Sequence, residues 1–96
     1  MDCTYIDSFL QYLELEKRYS VHTLTSYKKD LNDFLIYLNS VYGIPIEKID
    51  LIHARSYMVT LIEDNLTRST VSRKISAIKS FFKFLLKKGI VNSSPV

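Results

Sequence analysis

Apolar residues recur every three or four positions over four separate stretches of this chain, which is the spacing of an amphipathic helix. The repeat predicts a first helix over about 4–18 and a second helix between the cap residue Ser20 and Gly43. A third helix is predicted to begin after the cap residue Asp50, and a fourth to cover about 69–88. No stretch alternates strictly between apolar and polar residues, so no strand is expected. The pattern predicts an all-α bundle.

Each predicted helix has one apolar stripe, and we expect the four stripes to share a single core. The connector over 44–49 is too short, and too marked by proline, to hold a further long element. The expected core residues are Ile6, Phe9, Leu10 and Leu13 in the first helix, Leu24, Tyr27, Leu31, Phe34, Leu35, Leu38 and Tyr42 in the second, Leu51, Ala54, Tyr57, Met58, Leu61 and Ile62 in the third, and Val71, Ile75, Ile78, Phe82 and Leu85 in the fourth.

The polar side of the fourth helix has cations and small hydroxyls but no acid. A solvated helix face usually mixes its charge signs, whereas a row of one sign beside short side chains lets a polyanion come close. Two interpretations remain, a lysine-rich solvated face and a DNA-binding face, and the second is favoured. The residues on this side are Ser72, Arg73, Ser76, Lys79, Ser80, Lys83 and Lys87.

The distribution of charge along the chain supports a nucleic-acid partner. The 96 residues fit one small domain with a net charge of +3. Residues 1–65 contain six Lys/Arg against ten Asp/Glu, a balance of −4, whereas residues 66–96 contain seven against none, a balance of +7. Basic charge gathered at one end of a chain is typical of a protein that binds DNA.

Enzyme chemistry finds no support in the sequence. His22 and His53 have no cysteine or carboxylate at a metal-ligand spacing, and we expect them to be exposed or to cap helices. Two glycines cannot form a phosphate-binding loop. The tyrosines, among them Tyr12, Tyr27, Tyr42 and Tyr57, lie mostly on or beside apolar stripes, where core packing explains them better than nucleophilic catalysis. We therefore expect no catalytic residue, no metal ligand and no cofactor.

Cysteine content and hydropathy bear on the compartment. The lone Cys3 cannot form an internal disulfide, so a reducing cytoplasm is the predicted location. No apolar run is long enough to cross a bilayer, and Asp2 and Asp7 argue against a signal peptide. No membrane partner is expected.

The start of the second helix offers a further binding surface. Backbone N–H groups are unpaired there and the helix dipole is positive, so a phosphate would be stabilised. The hydroxyl of Thr23 could either cap the helix together with Ser20 or meet a phosphate, and both interpretations stay open. The polar residues on the side away from the apolar stripe are His22, Thr25, Ser26 and Lys29.

Three further charged residues, Lys74, Asp30 and Asp33, lie outside the cationic side of the fourth helix. Lys74 projects toward the edge of the apolar side of the fourth helix, so its stem either follows the core rim or reaches DNA, with the first interpretation slightly favoured. Asp30 and Asp33 share a helix surface, and we expect both to be solvated.

Two motifs give the chain a family resemblance. Residues 20–31 read Ser-Val-His-Thr-Leu-Thr-Ser-Tyr-Lys-Lys-Asp-Leu and are followed by Phe34 and Leu38. This run resembles the second helix of the N-terminal core-binding domain of tyrosine recombinases, the phage-integrase and Xer family. Lys79 stands where that family often has arginine, which changes the contact geometry more than the charge. The other matching residues are Phe9, Tyr12, Leu13 and Glu16, then Arg73, Ser76, Ala77, Lys79, Phe82, Phe84, Leu85 and Gly89, then Asn92 to Pro95.

The resemblance implies a four-helix, SAM-like bundle over 1–91, with 92–96 beginning a linker to a catalytic domain that this chain lacks. Such a domain would not be an enzyme on its own. Its implied partners are a double-stranded recombination half-site, the catalytic domain of the same parent chain, and other recombinase protomers in a synaptic complex. The expected DNA-binding residues are Thr23, Ser26, Lys28, Lys29, Ser72, Arg73, Lys74, Ser76, Lys79, Ser80 and Lys83, with Arg73 expected to contact a base.

Two other classes of protein fit the same pattern. One is a helical protein–protein interaction module that presents Ile36, Tyr37 and Met58 to partner helices. The other is a complete small DNA-binding regulator. A mobility-shift assay separates the first from a DNA-binding domain, and the extent of the reading frame beyond Val96 separates the second from a fragment.

Overall fold

Four α-helices and one short 3₁₀ turn form the computed structural model, which describes residues 4–91, with Thr4 described by its backbone alone. No strand occurs within this range. The predicted all-α bundle is therefore confirmed for the described residues. The linker predicted over 92–96 lies outside them. The helices are α1 (Thr4–Leu15), α2 (Val21–Val41), α3 (Leu51–Glu63) and α4 (Arg68–Lys87), and the 3₁₀ turn covers Ile46–Lys48.

Three of the four helices begin at a side chain that caps their free N–H groups. Ser20 precedes α2 and accepts a hydrogen bond from the Thr23 backbone N–H at 3.2 Å. Thr67 precedes α4 and accepts from the Thr70 N–H at 3.3 Å. Asp50 precedes α3, and its backbone N–H donates to His53 Nδ1 at 2.8 Å in a capping box. Each cap satisfies N–H groups that would otherwise have no partner at a helix start.

Left-handed backbone turns end the helices close to the predicted positions. Gly43 follows α2 with a φ of +62° and Gly89 follows α4 with a φ of +75°, a region that glycine enters without the steric penalty of a Cβ atom. Arg18, with a φ of +55°, turns the chain after α1, which ends at Leu15 rather than near residue 18. These turns let four helices pack with few intervening residues.

The core lies around α4, whose buried surface is wider than the predicted stripe. Phe81 and Phe84 are buried along with Ile78, Phe82 and Leu85 because α4 contacts each of the other three helices. Phe81 and Phe84 both meet the ring of Phe9, each at a centroid distance of 5.4 Å. The other core residues are Ile6 and Leu13 of α1, Leu31, Phe34, Leu35 and Leu38 of α2, Ala54, Tyr57 and Leu61 of α3, Ala77 of α4, and Val91.

Two residues expected in the core of α3 are exposed instead. Leu51 is 45% exposed and Ile62 is 68% exposed. Only the side of α3 that holds Ala54, Tyr57 and Leu61 is buried against the bundle. Leu51 begins the helix, and Ile62 lies about 100° around the axis from Leu61, so both point past the contact. The apolar composition of α3 therefore exceeds what this domain buries.

Candidate nucleic-acid interface

Helices α2 and α4 pack against each other and meet through charged side chains. Asp30, near the middle of α2, contacts Arg73 near the start of α4. Tyr19, just before α2, lines the same cleft as Ser80 and Lys83 farther along α4. The corner before α2 is thus beside the second half of α4, and the polar sides of α2 and α4 also meet at the contact between Asp30 and Arg73.

The polar side of α4 is exposed along most of its length. Ser72, Ser76, Lys79 and Lys83 are exposed and Ser80 is half-buried. At 100° per residue, the polar side chains of this side lie within an arc of about 120°, with Arg73 at one edge of the arc and Lys79 at the other. Among the described residues no carboxylate forms a salt bridge with Lys79, Lys83 or Lys87. We call the residues Ser76, Lys79, Ser80, Lys83 and Lys87 the free lysine row.

A buried ionic cluster occupies the other end of this surface. The Asp30 carboxylate is fully buried and accepts two hydrogen bonds from Arg73, one from Nε at 2.9 Å and one from Nη2 at 3.1 Å. Lys74 Nζ donates to Asp30 Oδ1 at 3.1 Å and to Asp33 Oδ2 at 3.3 Å. Lys29 Nζ lies 3.5 Å from the same Asp33 oxygen. The cluster holds three cations and two carboxylates, and it joins α2 to α4.

The cluster corrects the expectation that Asp30 is solvated. A carboxylate without exposure must be paired and hydrogen-bonded to offset its lost hydration, and both Asp30 oxygens have cationic donors. The hydrogen bond from Arg73 to Asp30 is the main reason that the pKa of the Arg73 guanidinium is raised. An acid from α2 therefore faces a helix side that contains no acid in its own sequence.

The stem of Lys74 lies inside the bundle, close to the favoured interpretation, but its ammonium group is buried as well rather than held at the core rim. Its side chain is 8% exposed and its ammonium group is bound to two carboxylates. This position does not present the ammonium to an external polyanion. Arg73 is both paired and accessible, since one edge of its guanidinium is bound to Asp30 while 44% of its side chain is exposed.

The predicted residues of α2 divide between two sides of that helix. Ser26 lies one turn before Asp30 on the same side of α2 and is half-buried, and Lys29 is exposed next to the ionic cluster. Lys28 is exposed about 200° before Asp30, on the opposite side of α2 from the contact with Arg73. Thr23 takes part in the cap, with its hydroxyl 3.0 Å from the Ser20 hydroxyl. Ser26 and Lys29 therefore lie on or next to the side of α2 that contacts α4, and Lys28 does not.

The fold adds two cations that the helical patterns did not reveal. Lys17, in the corner after α1, lines one cleft together with Ser80, Lys83 and Lys87. Arg68, at the start of α4, lines a groove with Ser72, Ser76 and Lys79 on the other flank. Lys87 also lies over the Tyr12 ring, 5.8 Å from its centroid. Neither Lys17 nor Arg68 belongs to a regular stripe, so only the charge sign could have suggested them.

The described residues contain no group of histidine, cysteine or acidic side chains that could hold a metal ion. None of the helices within 4–91 is long and apolar enough to span a membrane. His53 caps α3, and capping was one of the two roles that the sequence predicted for the histidines. Tyr57 is buried, while Tyr12 packs against Phe84 at a centroid distance of 5.2 Å.

The residues that would favour a protein–protein module are unequally exposed. Ile36 is 54% exposed, whereas Tyr37 and Met58 are half-buried. The Tyr37 hydroxyl is hydrogen-bonded to the Ser56 hydroxyl, which links α2 to α3. Of the three, only Ile36 is presented as a large apolar contact.

Comparison with known proteins identifies the class of this domain. A family model described as "Phage integrase, N-terminal SAM-like domain" matches residues 6–89. The chain belongs to this family, so the resemblance drawn from the α2 and α4 motifs is confirmed.

Individual relatives are tyrosine recombinases. The chain is 39% identical over 87 residues to "Tyrosine recombinase XerC" of Listeria innocua, a match that covers 91% of this chain and 29% of the relative. It is 39% identical over 88 residues to the protein of the same name from Bacillus pumilus, covering 91% and 28%. It is 38% identical over 91 residues to that of Oceanobacillus iheyensis, covering 95% and 30%. The chain thus spans under a third of the length of these relatives. No solved structure matches it significantly.

Proposed function

We propose that this domain binds duplex DNA through α4 and the adjoining start of α2, as the N-terminal DNA-binding part of a site-specific tyrosine recombinase. The observation that carries the proposal is the free lysine row, in which Lys79, Lys83 and Lys87 are exposed and no carboxylate of the described part of the chain is bound to them. Family membership supports the same proposal, because the relatives that match this domain are named tyrosine recombinases.

The chemistry of the surface suits the phosphate backbone. The lysines neutralise phosphates, and the small side chains of Ser76 and Ser80 between them let the helix approach the duplex. Lys17 and Arg68 extend the same positive surface on its two flanks. Lys29 and Ser26 extend it onto α2. Lys28 and Lys74 are left out of the proposed contact surface, since one lies on the far side of α2 and the other is buried in the ionic cluster.

The size of the surface implies weak binding by this domain alone. Roughly 4–6 neutralised phosphates give a slope of log affinity against log salt of about −4 to −5, at about 0.9 per phosphate. Non-specific dissociation constants are then on the order of 10⁻⁴–10⁻⁶ M near physiological salt. In the parent recombinase, a linked catalytic domain on the same half-site would raise the affinity through effective concentration. Other protomers would assemble on the neighbouring half-sites.

The test compares two charge-reversed variants of equal net charge. Fluorescence anisotropy with a labelled duplex of mixed sequence is measured between about 50 and 200 mM salt. The variant Lys79→Glu/Lys83→Glu should bind more weakly by about tenfold or more, with a salt slope shallower by about 2. The control Lys48→Glu/Arg55→Glu changes two exposed cations on the connector and on α3, and its slope should stay close to that of the unmodified domain.

Equal salt slopes for the two variants would reject the assigned surface. If the unmodified domain never responds to DNA but self-associates in sedimentation, the result would favour the protein–protein module instead. All four substituted positions are exposed, so both variants should keep the helical content of the unmodified domain. Far-UV circular dichroism checks this.

A further inference from the structure

Arg73 has two hydrogen-bonding edges, and the fold uses only one of them. The Nε and Nη2 groups of one edge donate to the two oxygens of Asp30, at 2.9 and 3.1 Å. Within residues 4–91 no partner lies within hydrogen-bonding distance of Nη1. A guanidinium presents five N–H donors in a planar fork, so the edge formed by Nη1 and the second Nη2 hydrogen is available. With 44% of its side chain exposed, Arg73 reaches the surface beside the free lysine row.

Asp30 is unusually well suited to hold this fork. Its carboxylate is fully buried, so no water competes for its oxygens, and it comes from the helix that packs against α4. The bond from Lys74 to Oδ1 fixes the carboxylate from a second direction. A bidentate ion pair restricts both the rotation and the position of a guanidinium. Arg73 is therefore pre-organised, whereas the neighbouring surface lysines are free to move.

We infer that Asp30 is a positioning residue that holds Arg73 by one edge, so that the other edge of the guanidinium is presented to a pair of hydrogen-bond acceptors on DNA. The inference rests on the proposed function and sharpens it, because it assigns to one cation a fixed geometry and a partner from another helix. The acceptor pair is either the O6 and N7 atoms of a guanine or two oxygens of the phosphate backbone. Both sources offer a pair of acceptors that one edge of a guanidinium can bind at the same time.

A double-mutant cycle on DNA binding tests the coupling. Duplex affinity is measured for the unmodified domain, Asp30→Asn, Arg73→Ala and the double variant. Each single change is expected to weaken binding by about tenfold, and the double variant should be within about twofold of Arg73→Ala. If the effect of Asp30→Asn is the same in both backgrounds, Asp30 contributes only to the fold and the inference is overturned.

The matched control is Asp33→Asn. This change removes the same charge one turn farther along α2. Asp33 contacts Lys74 and Lys29 but has no contact with Arg73. The substitution should leave affinity unchanged or slightly higher, because one repulsive charge is gone. An equal gain in affinity for Asp30→Asn and Asp33→Asn would mean that both acids merely screen the surface, which contradicts the inference.

A second variant keeps the test informative if Asp30→Asn fails to fold. Arg73→Lys retains the charge but replaces the fork with a single ammonium group, which cannot hold Asp30 with one edge and DNA with another. Binding as weak as that of Arg73→Ala supports the inference, whereas full affinity shows that charge alone matters and overturns it. Thermal unfolding followed by circular dichroism gives the folded fraction of each variant.

The salt slope identifies the acceptor. If Arg73 contacts a phosphate, Arg73→Ala makes the slope shallower by about 1, whereas a base contact leaves the slope unchanged and relaxes the sequence preference of duplexes selected from a randomised pool. Either result agrees with a presented guanidinium edge. The Lys79→Glu/Lys83→Glu experiment separates the two proposals, since a lysine effect without coupling between Asp30 and Arg73 rejects only the positioning role.

Discussion

The two ends of the polar side of α4 have the same charge sign in the sequence but different surroundings in the fold. Near the start of the helix, Arg73 and Lys74 meet the carboxylates of Asp30 and Asp33. Farther along, Lys79 and Lys83 are exposed and no described carboxylate binds them. The difference shows that cations on one helix can stabilise a helix–helix contact at one end and remain available to a polyanion at the other.

Stability should separate the two ends most strongly. Lys74→Met removes one cation from a buried cluster and leaves Asp30 and Asp33 with fewer partners, so the free energy of unfolding should fall by about 3 kcal/mol. Lys79→Met, the matched change in the free lysine row, should alter it by about 0.5 kcal/mol or less. Urea denaturation monitored by circular dichroism measures both. Equal losses for the two variants would remove the distinction between the ends.

Alkaline pH should weaken the fold through Tyr57, a buried residue of α3 that is influenced by the charges of Asp33 and Asp30. Burial first, and then the charges of Asp33, Asp30 and Asp64, raise the pKa of Tyr57 to about 12 from an ordinary value of 10.0. Between these two values the folded protein binds more protons than the unfolded chain, so stability falls as the pH rises through this window. The expected loss is about 1–2 kcal/mol.

Denaturation midpoints at a series of pH values from neutral to alkaline measure this loss. Tyr57→Phe keeps the ring and removes the titrating hydroxyl, so its stability should fall less steeply above pH 10 than that of the unmodified domain. Tyr42→Phe, at a ring that is 37% exposed, is the matched control. Identical pH profiles for Tyr57→Phe and the unmodified domain would contradict the assignment.

The smallest effect is expected at Lys17, which lies beside the free lysine row. Lys17 shares a cleft with Lys83 and Lys87, so Lys17→Ala should make the salt slope of DNA binding shallower by about 1 without changing the free energy of unfolding. Lys48→Ala, which removes an exposed lysine from the connector, should leave the slope as it is. A slope that is the same for both variants would place Lys17 outside the interface.

Helix existence could be read from the sequence, whereas the width of the core could not. The stripe through Ile78, Phe82 and Leu85 was predicted and is buried, because an isolated helix reveals its most apolar line. Burial of Phe81 and Phe84 depends on α1 packing against a second side of α4. The exposure of Ile62 similarly reflects the orientation of α3, which buries only the side that holds Ala54, Tyr57 and Leu61.

The candidate interface was predictable only in part for the same reason. A helical wheel identifies which side of α4 is polar, but it contains no information about acids that arrive from another helix. Asp30 is 43 positions before Arg73 in the sequence, and their contact requires α2 and α4 to pack against each other. Lys17 enters the surface through a corner of the chain rather than through a helical repeat.

Local periodicity, capping residues and the two family motifs determined the four helices, the approximate positions of most of their ends and the class of the domain. These properties depend on residues close to one another in sequence, where spacing alone sets which side chains share a helix face. Only the tertiary structure decided which cations are paired and which are free. A charge is neutralised by whatever lies a few ångströms away, and in a helical bundle that neighbour usually belongs to another helix.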